Sequence, residues 1–176
     1  SDTNRLQADY LIAADGAGSS LRRQMGIAME GPDALQHFIT VHFHADLSEL
    51  IGDKPGILHW TMEPSASGTL ISYDDGQNWV LMHGCPPGQE DPKLYDEARC
   101  LALINATLGR DDIEVAIKNV SPWVMTAQVA ARYRHARAFL LGDAAHRFPP
   151  SGGLGVNTGM WDAQYLARNM VMVKNA

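Results

Sequence analysis

Cysteine is scarce in this chain. Only Cys85 and Cys100 occur, and neither belongs to a CxxC or CxxH spacing. That pattern argues against a disulfide framework or a zinc site and predicts reduced, buried thiols. Long apolar runs are missing too, since none approaches the ~20 residues a membrane helix needs. Basic clusters extend no further than Arg22-Arg23, and the net charge of -6 with a pI near 5.5 predicts no nucleic-acid surface. The polar start SDTNRLQADY has no signal-peptide pattern. The expectation is a cytoplasmic protein with neither a membrane nor a nucleic-acid partner. Nothing repeats internally, and no tract is of low complexity.

Enough apolar material is present for a core: 45% of the 176 residues are hydrophobic and 19% are charged. YLIAA, Tyr10 to Ala14, is a continuous apolar run of the kind buried on both faces of a sheet. It runs into Asp15-Gly16-Ala17-Gly18-Ser19-Ser20, a glycine-rich turn with helix-capping side chains, and then a short helix closed by Gly26. The middle has another style. HFITVHFHADL alternates with period two, and GTLISYDDGQNWVLMHG is two strand-like runs around Asp74-Asp75-Gly76, a hairpin signal. A helix follows, with Leu94, Ala98, Leu101, Ile104 and Leu108 on one face and Gly109 as its stop. The last part returns to the first style, with a buried run at Ala138 to Leu141 and a helix from about Gly155 to Met172. The fold class expected is α+β: an antiparallel sheet domain with helices, flanked by the second portion of an α/β nucleotide-binding domain. The boundaries predicted are 1–30, 31–135 and 136–176.

The stretch FLLGDAAHRFPPSGGLGVNTG holds one carboxylate, a double proline and five glycines between Phe139 and Gly159. Asp143 stands where the strand gives out, the edge at which open α/β sheets bind ligands. A carboxylate there can accept two hydroxyl hydrogen bonds, as a ribose or ribitol would offer. Pro149-Pro150 sets the chain direction and removes donors. Ser151-Gly152-Gly153-Leu154-Gly155 then lets main-chain N–H groups come close to something flat or anionic, with the positive end of the next helix aimed at the same place. Two look-alikes of the GxGxxG fingerprint are weaker. Gly16-x-Gly18-x-x-Leu21 lacks the third glycine, and Gly153-x-Gly155-x-x-x-Gly159 has the wrong spacing and follows prolines instead of a strand.

These two segments resemble the class A flavoprotein monooxygenases, the aromatic-ring hydroxylases typified by para-hydroxybenzoate and phenol hydroxylases. YLIAADGAGSSLRR resembles their Asp-Gly motif, with Asp15, Gly16, Ser19 and Arg22 in place. FLLGDAAHRFPPSGGLGVNTGMWDAQYLA resembles their Gly-Asp motif, with Gly142, Asp143, His146, Pro150, Gly153, Gly155, Asn157, Gly159 and Asp162 in register. The resemblance implies FAD as cofactor and NAD(P)H as reductant. It implies that Asp143 bonds the ribitol and that Gly153, Leu154, Gly155, Val156 and Asn157 face the pyrimidine edge. Asp15 and Arg22 would support the pyrophosphate region, and Gly142 and Pro150 complete the expected set of cofactor-binding residues. The implied reaction reduces FAD with NAD(P)H, consumes molecular oxygen and places a hydroxyl on an electron-rich ring.

Leu154 stands where the family usually has Gln, and Arg168-Asn169 where it often has Trp-Lys. The family opens with a βαβ unit carrying GxGxxG, and nothing precedes Ser1 here. The chain therefore reads as a fragment, with a small aromatic substrate and the missing N-terminal FAD-domain segment as partners. Alone, it is expected to self-associate or to have loosely ordered termini, to bind FAD negligibly and to be inactive. Other readings are a related flavoprotein reductase or halogenase, or a non-catalytic interaction module with relic flavin motifs.

Other residues carry less. His42 and His44 share a strand face, but no third ligand stands at metal spacing, so no metal is expected. His146 is expected to order its loop instead of taking part in catalysis. Trp60, Trp79 and Trp123 fall on presumed strands, where core packing is favoured over an aromatic pocket. No spacing singles out a catalytic base or nucleophile.

Overall fold

The computed structural model describes residues 6–53, 56–62, 66–74 and 76–174. The first half of the chain forms β1 (Leu11–Ala13), α1 (Ser20–Gln24), β2 (Met29–Glu30), β3 (Gln36–His44), α2 (Ser48–Ile51), β4 (Leu58–Thr61), β5 (Gly68–Ser72) and β6 (Asn78–Cys85). The second half forms α3 (Glu97–Leu108), β7 (Ala116–Met125), β8 (Gln128–Ala130), β9 (Arg134–His135), β10 (Ala138–Leu140), β11 (His146–Arg147) and α4 (Leu154–Lys174). Helices combined with largely antiparallel sheets make the fold α+β. The chain divides into two compact units, 1–35 with 125–176, and 36–124.

The unit of residues 36–124 is a five-stranded sheet in the order β4-β5-β6-β3-β7. Period-two patterning selects its inner face. Ile39, Val41 and Phe43 are buried, while Thr40, His42 and His44 between them are half-buried. Antiparallel pairing sets Val41 opposite Leu81 and Phe43 opposite Trp79, so one face becomes a continuous apolar layer. The expected hairpin is present as β5 and β6, with Ile71 opposite Val80. Helix α3 starts at Asp96, whose Oδ1 accepts from the Arg99 amide at 2.8 Å, and stops at Gly109, left-handed at φ 68°. Its buried face differs from the expected one. Cys100, Ile104, Thr107 and Leu108 turn inward, while Leu94 and Ala98 are exposed. The cap at Asp96 leaves Leu94 in the preceding turn, and the stripe recurs from Cys100 at helical spacing.

The unit that joins the two ends holds two three-stranded sheets, β1-β10-β9 and β11-β8-β2. The pair β1 and β10 is parallel, with Leu11 opposite Ala138 and Ala13 opposite Leu140. Ala13, Ile27, Ala130, Leu140 and Ala145 form its small core. The double-sided burial expected of YLIAA does not occur. Leu11 and Ile12, which point to opposite faces, are each 48% exposed. Strand β1 pairs with β10 along one edge, and of its three residues only Ala13 is covered, by the small core. Helix α4 is covered only in part: Gly159, Asp162 and Leu166 are half-buried, none of its residues is fully buried, and Trp161, Tyr165, Met172 and Val173 face outward.

Candidate functional site

The parallel register of β1 and β10 places both glycine-rich motifs at one sheet edge. Two residues beyond the Ala13–Leu140 pair stand Asp15 on one strand and Gly142 on the other. Such an edge, where parallel strands end, is where this kind of sheet binds ligands.

After β10 the Leu141 amide donates to the Ala13 carbonyl at 3.0 Å, and the chain then tightens into a 3-10 turn over Gly142–Ala144. Gly142 is left-handed at φ 53°. Ala144 and Ala145 turn into the core, which leaves Asp143 exposed at the tip. Among the described residues its carboxylate receives no hydrogen bond. The turn lies against α4 so closely that a Cβ on Gly159 would meet Gly142 Cα at 3.4 Å. Asp162, on the same helix, anchors it: Oδ2 accepts from the Gly142 amide at 3.0 Å and stands 2.6 Å from His146 Nε2. His146 thus orders the loop, as expected, through a partner that had no role assigned from sequence.

Beyond Pro149-Pro150 the chain enters α4 through Gly152 and Gly153, with φ of 85° and 62°. Two successive left-handed residues explain the glycine pair. The Gly153 amide donates to the Pro150 carbonyl at 3.1 Å and is therefore not open to a ligand. The amides of Leu154, Gly155 and Val156 lie ahead of the first carbonyl a helical N–H can reach. Asn157 folds back, donating from Nδ2 to the Gly153 carbonyl at 2.9 Å. Beside Gly153 and Gly155 there is open space where a Cβ would stand. A bare carboxylate, three open amides and an uncrowded approach fit the donor and acceptor set of a polyol joined to an electron-rich ring, as in FAD.

Asp15 serves its own loop. Ser19 Oγ donates to Oδ1 at 2.5 Å and the Leu21 amide to Oδ2 at 3.1 Å, and these bonds hold the carboxyl down at about 2. Ser19 in turn caps α1, accepting from the Arg22 amide at 3.0 Å. Arg22 is buried, only 6% exposed, with no carboxylate at ion-pair distance among the described residues and Nε unpartnered. Burial, and then the nearby Arg147 charge, lower its pKa. Arg147 donates to Gln128 Oε1 at 3.0 Å and to the Ala17 carbonyl, tying β11 to the Asp15 loop. Neither Arg147 nor Gln128 stood out in the sequence; the one available signal was an arginine standing alone in an apolar, glycine-rich tract.

The remaining candidates are structural. Cys85 and Cys100 are free thiols, Cys100 fully buried, and burial pushes both upward. Trp79 is core, and Trp123 packs at a tilt against Phe38 with ring centroids 5.1 Å apart. Trp60 departs from the core expectation: it is 73% exposed on β4, the edge strand of its sheet. His42 and His44 lie half-buried on the outer face of β3, and among the described residues no three potential ligands cluster. No described helix is long and apolar enough to cross a membrane.

The whole sequence, residues 1–176, matches the family described as an FAD binding domain. The chain belongs to this family. Its resemblance to class A FAD-dependent aromatic monooxygenases holds across the curated relatives as well. It is 38% identical over 170 residues to a putative polyketide hydroxylase of Streptomyces halstedii, covering 96% of this chain and 31% of that protein. It is 35% identical over 164 residues to a 2,4-dichlorophenol 6-monooxygenase of Delftia acidovorans, covering 90% of this chain and 28% of that one. Among solved structures, aklavinone-11 hydroxylase in a ternary complex with FAD and aklavinone superposes with a TM-score of 0.86 at 32% identity, over 94% of this chain and 31% of the other. The chain thus spans about three tenths of the length of the relatives it matches. FAD is the family's cofactor, and NAD(P)H is its typical reductant.

Proposed function

We propose that this chain supplies the second portion of the FAD site and the substrate-binding sheet of a cytoplasmic, FAD- and NAD(P)H-dependent monooxygenase that hydroxylates a phenolic compound. One observation carries the proposal: the exposed Asp143 carboxylate, without a partner among the described residues, stands on a turn clamped to α4, and that helix opens with three amides awaiting acceptors. In this reading Asp143 accepts from ribitol hydroxyls. The amides of Leu154, Gly155 and Val156 hold the electron-rich ring edge, and the positive end of a helix of 21 residues steadies negative charge there. Gly142 and Pro150 set the paths of the turn and loop, and Asn157 pins the loop's last carbonyl. Arg22 offers a positive charge toward the pyrophosphate, while Asp15 keeps its loop in shape. Bound FAD would supply the redox chemistry, taking a hydride from NAD(P)H and activating molecular oxygen.

The phenolic class is supported by the names of the relatives, which include a dichlorophenol monooxygenase and polyketide hydroxylases. In this reading the 1–30 and 136–176 segments serve the cofactor and 31–135 serves the substrate. The chain by itself is inactive and binds FAD negligibly, because the segment that binds the rest of the dinucleotide lies in another part of the parent protein. That segment and the aromatic substrate are its partners. The test is to purify the full-length parent and titrate FAD. A yellow protein with one flavin per chain, oxidising NAD(P)H faster when phenols are added, is the expected result. A colourless protein that ignores FAD would contradict the proposal and favour an interaction module.

A further inference from the structure

The turn bearing Asp143 is anchored on both flanks by a single carboxylate oxygen. Asp162 Oδ2, in the third turn of α4, accepts from the Gly142 amide at 3.0 Å and faces His146 Nε2 at 2.6 Å. An ionised carboxylate can only accept, so the His146 ring presents Nε2–H to it. His146 is 2% exposed, its ring packs against Phe148 with centroids 4.9 Å apart, and its Nδ1 is buried without a partner among the described residues. With Nδ1 unsatisfied, the bond to Asp162 is the polar contact that sets the ring's orientation. Gly142 precedes Asp143 and His146 follows it by three residues, so Asp162 pins both ends of the segment that aims the carboxylate. Gly159, one helical turn away from Asp162, keeps the helix low enough for this approach.

We propose that Asp162, acting with His146, is a positioning residue for flavin binding. It fixes the direction of Asp143 relative to the open amides of α4 and acts through Gly142 and His146 instead of touching the cofactor. The inference rests on the FAD reading above, and its test separates the two.

In the full-length parent, FAD dissociation constants would be measured by flavin fluorescence for Asp143→Ala, Asp162→Ala, His146→Gln and His146→Asn. Apo folding would be followed by circular dichroism and by exchange of the Gly142 amide. A glutamine amide reaches about as far as Nε2 and can still donate to Asp162; an asparagine amide reaches only as far as Nδ1. We expect Asp162→Ala and His146→Asn to weaken FAD binding about ten- to hundred-fold and to speed Gly142 exchange, while His146→Gln stays within about threefold of the parent. If Asp162→Ala does not fold, the glutamine–asparagine contrast decides. Folded Asp162→Ala and His146→Asn proteins that bind FAD normally, with Asp143→Ala impaired, would overturn the positioning role and leave the FAD reading standing. Equal losses in both His146 variants would overturn it too, by reducing the residue to packing. If Asp143→Ala also binds normally, the FAD reading itself fails.

Discussion

Gly159 offers a perturbation whose effects on stability and binding should separate. It lies within α4, where replacing glycine by a good helix former gains about 0.8 kcal/mol of intrinsic propensity. An added Cβ would meet Gly142 Cα at 3.4 Å, at the near limit of carbon–carbon contact. Gly159→Ala should therefore be close to neutral, with propensity offsetting a slightly tight approach. Gly159→Leu places three more carbons beyond that Cβ, and overpacking of this kind costs about 1–3 kcal/mol. The propensity gain recovers part of that, so the net destabilisation expected is roughly 0–2 kcal/mol. The turn must yield, because the helix backbone is the stiffer partner, and Asp143 moves with it. FAD affinity of the full-length parent should fall at least about tenfold in Gly159→Leu, with helicity retained and Gly159→Ala near normal. Titration alongside far-UV circular dichroism checks this. A folded Gly159→Leu protein with unchanged FAD affinity would refute the claim that this contact sets the site.

Other outcomes follow from the same geometry. The Asp15 carboxyl is held at about 2 against an ordinary 3.8, so its contribution to stability is whole above about pH 4 and is lost as pH falls toward 2. Asp15→Asn should lose less of its urea midpoint than the parent between about pH 5 and pH 2.5; equal losses would count against its role in holding the loop. Ile104, fully buried under the five-stranded sheet, should cost about 2–5 kcal/mol as Ile104→Ala in denaturant unfolding, while exposed Ala106→Ser stays within about 0.5 kcal/mol. The isolated chain leaves Leu11, Ile12, Trp161 and Tyr165 exposed, so sedimentation should show it self-associating, and a stable monomer would contradict that.

Local signals in the chain are strong where one pattern governs one element. The period-two run into His44 forms β3, Asp74 and Gly76 mark the β5–β6 hairpin, and Gly109 stops α3. The Gly-Asp stretch is legible because its unusual residues each meet a separate physical need. Gly152 and Gly153 take left-handed backbone, Gly159 permits a close approach, and Asp143 carries an exposed carboxylate. Sequence reasoning fails where a residue's environment depends on long-range partners. YLIAA looks buried on both faces, but composition cannot reveal that its neighbours bury Ala13 and leave Leu11 and Ile12 exposed. Leu94 and Ala98 fit a helical stripe until the Asp96 cap fixes where that helix begins. Asp162, 16 residues from His146, and Arg147, 130 residues from Ala17, gain meaning only once the chain has folded.

A structure of the full-length parent crystallised with FAD would test the central claim most directly. It should place the Asp143 carboxylate within about 3.2 Å of a ribitol hydroxyl, with the amides of Leu154 to Val156 against the pyrimidine edge of the ring. A flavin bound elsewhere, with Asp143 facing solvent, would contradict it.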